Sequence, residues 1–159
     1  GAGAVAGGSA RGRLGDGMNA LRVACGQFEA RFGDTDYNLA QMEARARQAS
    51  AAECQVIVFA ELSVSGYLEA ARVPEVAESI DGDAVAQLAT HARSNGIAMA
   101  FGMAERDGDR LHNALVVLDK NGDLACHYRK THLFGAEEGW ATAGGEVASF
   151  SMDGVAATG

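Results

Sequence analysis

One proline and three cysteines in 159 residues leave little for a disulfide-stapled or proline-rich design. An odd number of cysteines argues against a disulfide framework, and Cys25, Cys54 and Cys126 fit no zinc-binding spacing. Each has apolar neighbours, where a free cysteine packs as a small hydrophobe, so a buried structural role is expected for all three. Cations are scarce as well: 13 Lys and Arg face 21 Asp and Glu, for a formal net charge of -8. Nucleic acids and anionic membranes are gripped by Lys/Arg patches, so neither is an expected partner. There is no apolar run long enough to span a bilayer, and a cytoplasmic location is expected. His91, His112, His127 and His132 are scattered without H-E-x-x-H or His-x-His spacing, so no metal and no organic cofactor is expected.

What remains is a chain with 48% hydrophobic residues, enough for a real core, and of a length that suggests one domain. Residues 1–17, GAGAVAGGSARGRLGDG, are Gly/Ala-rich without periodicity and read as a flexible tail. Their resemblance to a dinucleotide fingerprint is a chance match, because that motif needs a strand before it. They do not read as a secretory leader, and Met18 reads as the natural start, followed by one domain over 18–159.

Leu21 to Phe28 reads as a strand and Asp34 to Ala52 as a helix, with Leu39, Met42, Ala46 and Ala49 recurring at helical spacing. A further strand from Val56 completes a βαβ unit, whose two strands should be parallel. Asp83 to Ser94 reads as a second helix stopped at Asn95-Gly96. Ile97 to Glu105 and Leu111 to Leu118 read as a hairpin around the Asp-Gly-Asp turn. Ile97, Met99, Phe101 and Met103 are large on one face, and Ala98, Ala100, Gly102 and Ala104 small on the other. Neither face is polar, so this sheet should be covered on both sides. Leu124 to Lys130 and Glu146 to Met152 read as further strands.

Two strand ends carry the chemistry. In VIVFAELSVSGY, alternation puts Ile57, Phe59 and Glu61 on one face, so Glu61 ends an apolar stripe. A carboxylate held against Phe and Ile loses solvation and is poised to take a proton. A lone strand-end glutamate is more often just the partner of a surface lysine. The second end shifts that balance: in YRKTHLFGAEEGWATAG, Lys130 ends the more apolar stripe of its strand, and Glu137 and Glu138 follow within one loop.

These residues resemble the nitrilase, or carbon-nitrogen hydrolase, superfamily. Phe59-Ala60-Glu61-Leu62 through Gly66-Tyr67 is similar to its first motif, with Ala60 where proline is usual. Tyr128-Arg129-Lys130-Thr131-His132-Leu133-Phe134 is similar to its second. The following Glu-Gly-Trp resembles the aliphatic amidase branch. The resemblance implies an α/β fold, an αββα sandwich of which this chain is the N-terminal half or slightly more.

It also implies a catalytic set of Glu61 as general base, Lys130 as oxyanion donor and Glu138, in preference to Glu137, as second glutamate. Tyr67 and Trp140 are candidate pocket residues, packing of the loops being an equal alternative. The nucleophilic cysteine of the family is expected a few residues past Gly159. The resemblance implies a small-molecule amide substrate and a homo-dimer or larger assembly. The alternative is a non-catalytic interaction or assembly domain. His132 is expected to shape its loop and Asn113 to satisfy nearby backbone groups.

Overall fold

The computed structural model describes residues 21–67, 70–152 and 155–158. The stretch read as a tail, 1–17, and Met18 lie outside them. Strand β1 (Val23–Gly26), helix α1 (Thr35–Ala51) and strand β2 (Val56–Phe59) follow in order, and β1 pairs with β2 in parallel. The Asp34 carboxylate starts α1 by accepting the Tyr37 N–H at 3.2 Å, which relieves one of the unpaired donors of the first turn. Leu39, Met42, Ala46 and Ala49 are all buried, as their spacing predicts. A fully buried Leu or Met contributes on the order of 2 kcal/mol.

After a 3-10 turn at Ala70–Arg72 come a one-turn helix α2 (Val73–Val76) and helix α3 (Asp83–Asn95), which stops at Gly96 with φ of 60°. That left-handed turn suits glycine, which has no Cβ to clash. Strand β3 (Ala98–Asp107) pairs in parallel with β2 and forms an antiparallel hairpin with β4 (Arg110–Leu118), to which β5 (Leu124–Arg129) adds. The sheet order is therefore β1-β2-β3-β4-β5.

Register divides the sheet into two unlike faces. Ile57, Phe59, Met99, Phe101, Met103, Ala114, Val116 and Leu118 form one core with the buried faces of α1 and α3. On the opposite face Ala100, Val117 and Cys126 are covered in part by Ala148 and Phe150. Phe150 belongs to β6 (Ser149–Met152), which pairs antiparallel with β7 (Val155–Thr158) as a separate two-stranded sheet. A helical layer, a large sheet and part of a second sheet are three successive layers of the αββα sandwich. No helix among the described residues is long and apolar enough to cross a membrane.

One cysteine departs from expectation. Cys126 is buried and Cys54 half-buried, but Cys25 is exposed. It lies on the edge strand in register with Val58, itself exposed, on the face away from the helices.

Candidate active site

Strand β2 ends at Phe59, two residues before Glu61, and the chain then turns sharply. Leu62 takes φ of 52°, a left-handed conformation that a Cβ disfavours by roughly 1–2 kcal/mol. Burial of its side chain against Val73, Ala104 and Leu111 holds it there. The turn is fastened to β3 at Gly102, whose carbonyl accepts the Val64 N–H at 3.2 Å. A Cβ on Gly102 would stand 2.5 Å from the Leu62 nitrogen, so only glycine lets the turn cross the strand here.

This crossing corrects the stripe expected from alternation. Glu61 does not continue the face of Ile57 and Phe59. Its carboxylate meets Asn113 and Lys130. Asn113 precedes Ala114, which packs in the helix-side core, so its own side chain belongs to the face of the second sheet. Glu61 is also more hydrated than a stripe-end position implies, its side chain being 42% accessible.

Four polar atoms close a ring. Lys130 Nζ donates to Glu61 Oε1 at 2.8 Å and to Glu137 Oε1 at 2.9 Å. Asn113 Nδ2 donates to the same two oxygens, at 2.7 Å and 2.6 Å. Glu137 sits on a 3-10 segment, Gly135–Gly139, and its other oxygen accepts the Phe134 N–H at 3.0 Å. Accessibility falls from Glu61 through Lys130 at 30% to Glu137 at 7%, so the ring has an open side and a buried side.

The charge states follow from these contacts. The hydrogen bond to Glu61 raises the Lys130 ammonium above its ordinary value; burial opposes this, and Glu137 adds to it. Burial alone would raise the Glu137 carboxyl. The hydrogen bonds from Lys130, the Phe134 N–H and Asn113 outweigh it, and the carboxyl is lowered. Lys130 is thus held as an ammonium and Glu137 as a carboxylate. An ammonium has three hydrogens, of which two are engaged, leaving one for an incoming oxygen.

The second glutamate in contact with Lys130 is Glu137, not Glu138: the neighbour favoured from the Glu-Gly-Trp context is exposed and outside the ring. A 3-10 segment points adjacent side chains about a third of a turn apart, so one of the pair faces inward and the other outward. Asn113 likewise bonds two carboxylates rather than nearby backbone. Its signal was an amide directly ahead of the apolar run Ala114–Leu118. Trp140 packs beside Leu62 with Val73 and Ala104, while Tyr67 is 71% accessible. His132 Nδ1 bonds the Thr131 hydroxyl at 3.0 Å within its loop.

A second buried charge cluster lies on the helix side of the same strands. Glu105, 1% accessible, is bonded by His127 Nε2 at 2.8 Å and by Arg129 Nε at 3.0 Å, while Arg129 also reaches Asp107 at 2.9 Å. Burial works to raise the Glu105 carboxyl, but its bonds to His127 and Arg129 and their charges prevail, and it lies at about 2. Arg129, the last residue of β5, and Lys130 just after it therefore serve opposite faces of the sheet.

Cys126 shares a face with Lys130 but stands four residues earlier on the strand, roughly 13 Å away. Burial pushes its thiol up, which keeps it protonated.

Comparison with known proteins assigns the class. The carbon-nitrogen hydrolase family model matches residues 22–152, and the chain belongs to that family. Among curated relatives it is 37% identical over 123 residues to a protein of Pseudomonas protegens described as a hydrolase in the pqqF 5' region, covering 75% of this chain and 42% of that one. It is 32% identical to an (R)-stereoselective amidase of Pseudomonas sp., covering 74% and 42%, and 30% identical to the 2-oxoglutaramate amidase of Bacillus subtilis, covering 86% and 53%. The fold matches the crystal structure of an amidase from Nesterenkonia sp. with a TM-score of 0.79 at 25% identity, over 87% of this chain and 54% of the amidase. The chain thus spans about half the length of the relatives it matches.

Proposed function

We propose that this chain is the N-terminal part of a thiol-dependent hydrolase that cleaves the carbon-nitrogen bond of small amides through a thioester. The observation that carries the reading is the ammonium of Lys130 shared between the carboxylates of Glu61 and Glu137, at 2.8 Å and 2.9 Å. Amide rather than nitrile chemistry is supported by two curated relatives named as amidases, each at least 30% identical.

In this proposal the thiol comes from a part of the protein beyond Gly159, since Cys126 is remote and protonated and neither Cys25 nor Cys54 has a contact with the ring. A thiol with an ordinary value near 8.5 is mostly protonated at neutral pH and needs a base. Glu61 takes the S–H proton as sulfur attacks the carbonyl carbon, and the displaced C=O electron pair becomes an oxyanion. The third Lys130 N–H donates to that oxygen; one such donor is commonly worth about 3 kcal/mol. Collapse breaks the C–N bond, and the leaving amine takes the proton from Glu61. Water, deprotonated by Glu61, then attacks the thioester, releasing the carboxylic acid and regenerating the thiol. Glu137, lowered and buried, keeps Lys130 charged and aimed. Tyr67 and Trp140 are the candidate pocket residues of this reading, and a homo-dimer or larger assembly in the cytoplasm is its proposed setting.

The test uses the full-length protein that contains this chain, with butyramide and butyronitrile as probes and ammonia as readout. Ammonia release from butyramide that disappears after iodoacetamide treatment is the expected result. Hydrolysis indifferent to thiol alkylation, or confined to the nitrile, contradicts the proposal.

A further inference from the structure

We propose that Asn113 is a positioning residue that gives the two glutamates their separate roles; this rests on the hydrolase reading above and deepens it. Asn113 lies on β4 in register with Ala104 and is 5% accessible. A primary amide carries two N–H groups fixed in one plane. Here each serves a different carboxylate, Glu61 Oε1 at 2.7 Å and Glu137 Oε1 at 2.6 Å. Lys130 spans the same two atoms from the other side.

Two consequences follow from counting lone pairs. Each Oε1 accepts two hydrogen bonds and has no capacity left for a proton, and Glu137 Oε2 is engaged by the Phe134 N–H. Of the four carboxylate oxygens, Glu61 Oε2 alone has no hydrogen bond among the described residues. Proton transfer is thereby directed to one atom of one glutamate, and Glu137 is kept out of it. The second consequence concerns charge. Two carboxylates and one ammonium leave a net charge of minus one, and the Asn113 amide steadies the like-charged pair without adding a charge. With both oxygens fixed, the two engaged Lys130 hydrogens are fixed too, and the third points one way.

A residue that merely fills buried space would be best replaced by its isostere. A two-proton donor would not, because Asn113→Asp keeps the shape, removes both donors and adds a third negative charge. The experiment measures butyramide hydrolysis at neutral pH by the full-length enzyme carrying N113A, N113S or N113D, with Tm recorded for each. N113A is expected to lower kcat about 10- to 100-fold with KM changed less than about 2-fold. N113S, with one donor, should fall between wild type and N113A, and N113D below N113A. An N113A enzyme with wild-type kcat, an N113D enzyme more active than N113A, or kcat losses that simply follow Tm would overturn the proposal. Should N113D not fold, the order of N113S and N113A decides. An E61Q control separates the two levels: E61Q as active as wild type defeats the hydrolase reading itself, while inactive E61Q beside fully active N113A defeats only the role of Asn113.

Discussion

Gly102 and Glu61 meet backbone to backbone: a Cβ on Gly102 would lie 2.8 Å from the Glu61 Cα. The position of the acid is thus set by a residue with no side chain, on a strand that takes no part in the polar ring. Gly102→Ala must lift the turn or bend β3. Overpacking of this kind costs about 1–3 kcal/mol, and a displacement near 1 Å at a reacting group costs about 100-fold in rate. Calorimetry should therefore show a lower Tm for G102A in the full-length enzyme, together with a fall in kcat. Unchanged values of both would mean that the turn has slack to yield.

The inward glutamate can be told from the outward one by neutral substitutions. Glu137→Gln retains shape but removes the buried charge beside Lys130, and roughly a tenfold or greater loss of kcat is expected. Glu138→Gln, at an exposed position outside the ring, should stay within about 2-fold of wild type. The reverse ranking in a side-by-side assay would return the second-glutamate role to Glu138.

Glu105 makes stability depend on acid. Its carboxyl is lowered from 4.5 to about 2 in the folded protein, so its contribution is fully present above pH 4.5 and fades as pH falls through about 2. The shift corresponds to about 3 kcal/mol at neutral pH. Chemical denaturation of wild type and Glu105→Gln should show a large difference at pH 7 that narrows across this window. A gap that stays constant from pH 7 to pH 2 would mean that the ionised carboxylate is not what His127 and Arg129 stabilise.

Periodicity and turn chemistry were enough for the main elements. The α1 stripe, the αL stop at Gly96, the parallel β1-β2 pair and the β3-β4 hairpin all follow from local rules. The side chains of the site were harder, because three of them depend on departures from those rules. Alternation put Glu61 with Ile57 and Phe59, but β2 had already ended, and in the turn that crosses Gly102 the acid faces the other way. No periodic argument separates Glu137 from Glu138 on a 3-10 segment of five residues. Asn113 looked like a local backbone partner because its carboxylates come from 52 and 24 residues away in the chain. Glu105 showed the same signature that singled out Glu61, an acid continuing the stripe Met99, Phe101, Met103, and here alternation held. Its cations, His127 and Arg129, share a strand face that sequence had set aside in favour of Lys130.

The central claim is that the carboxylate of Glu61, beside Lys130, moves the proton. The direct measurement is steady-state ammonia release from butyramide by full-length enzyme carrying Glu61→Gln, which keeps the shape and the contact with Lys130 but cannot accept the thiol proton. A fall in kcat of about 100-fold or more, with Tm near that of wild type, is the expected result. Turnover within a few-fold of wild type would contradict the account.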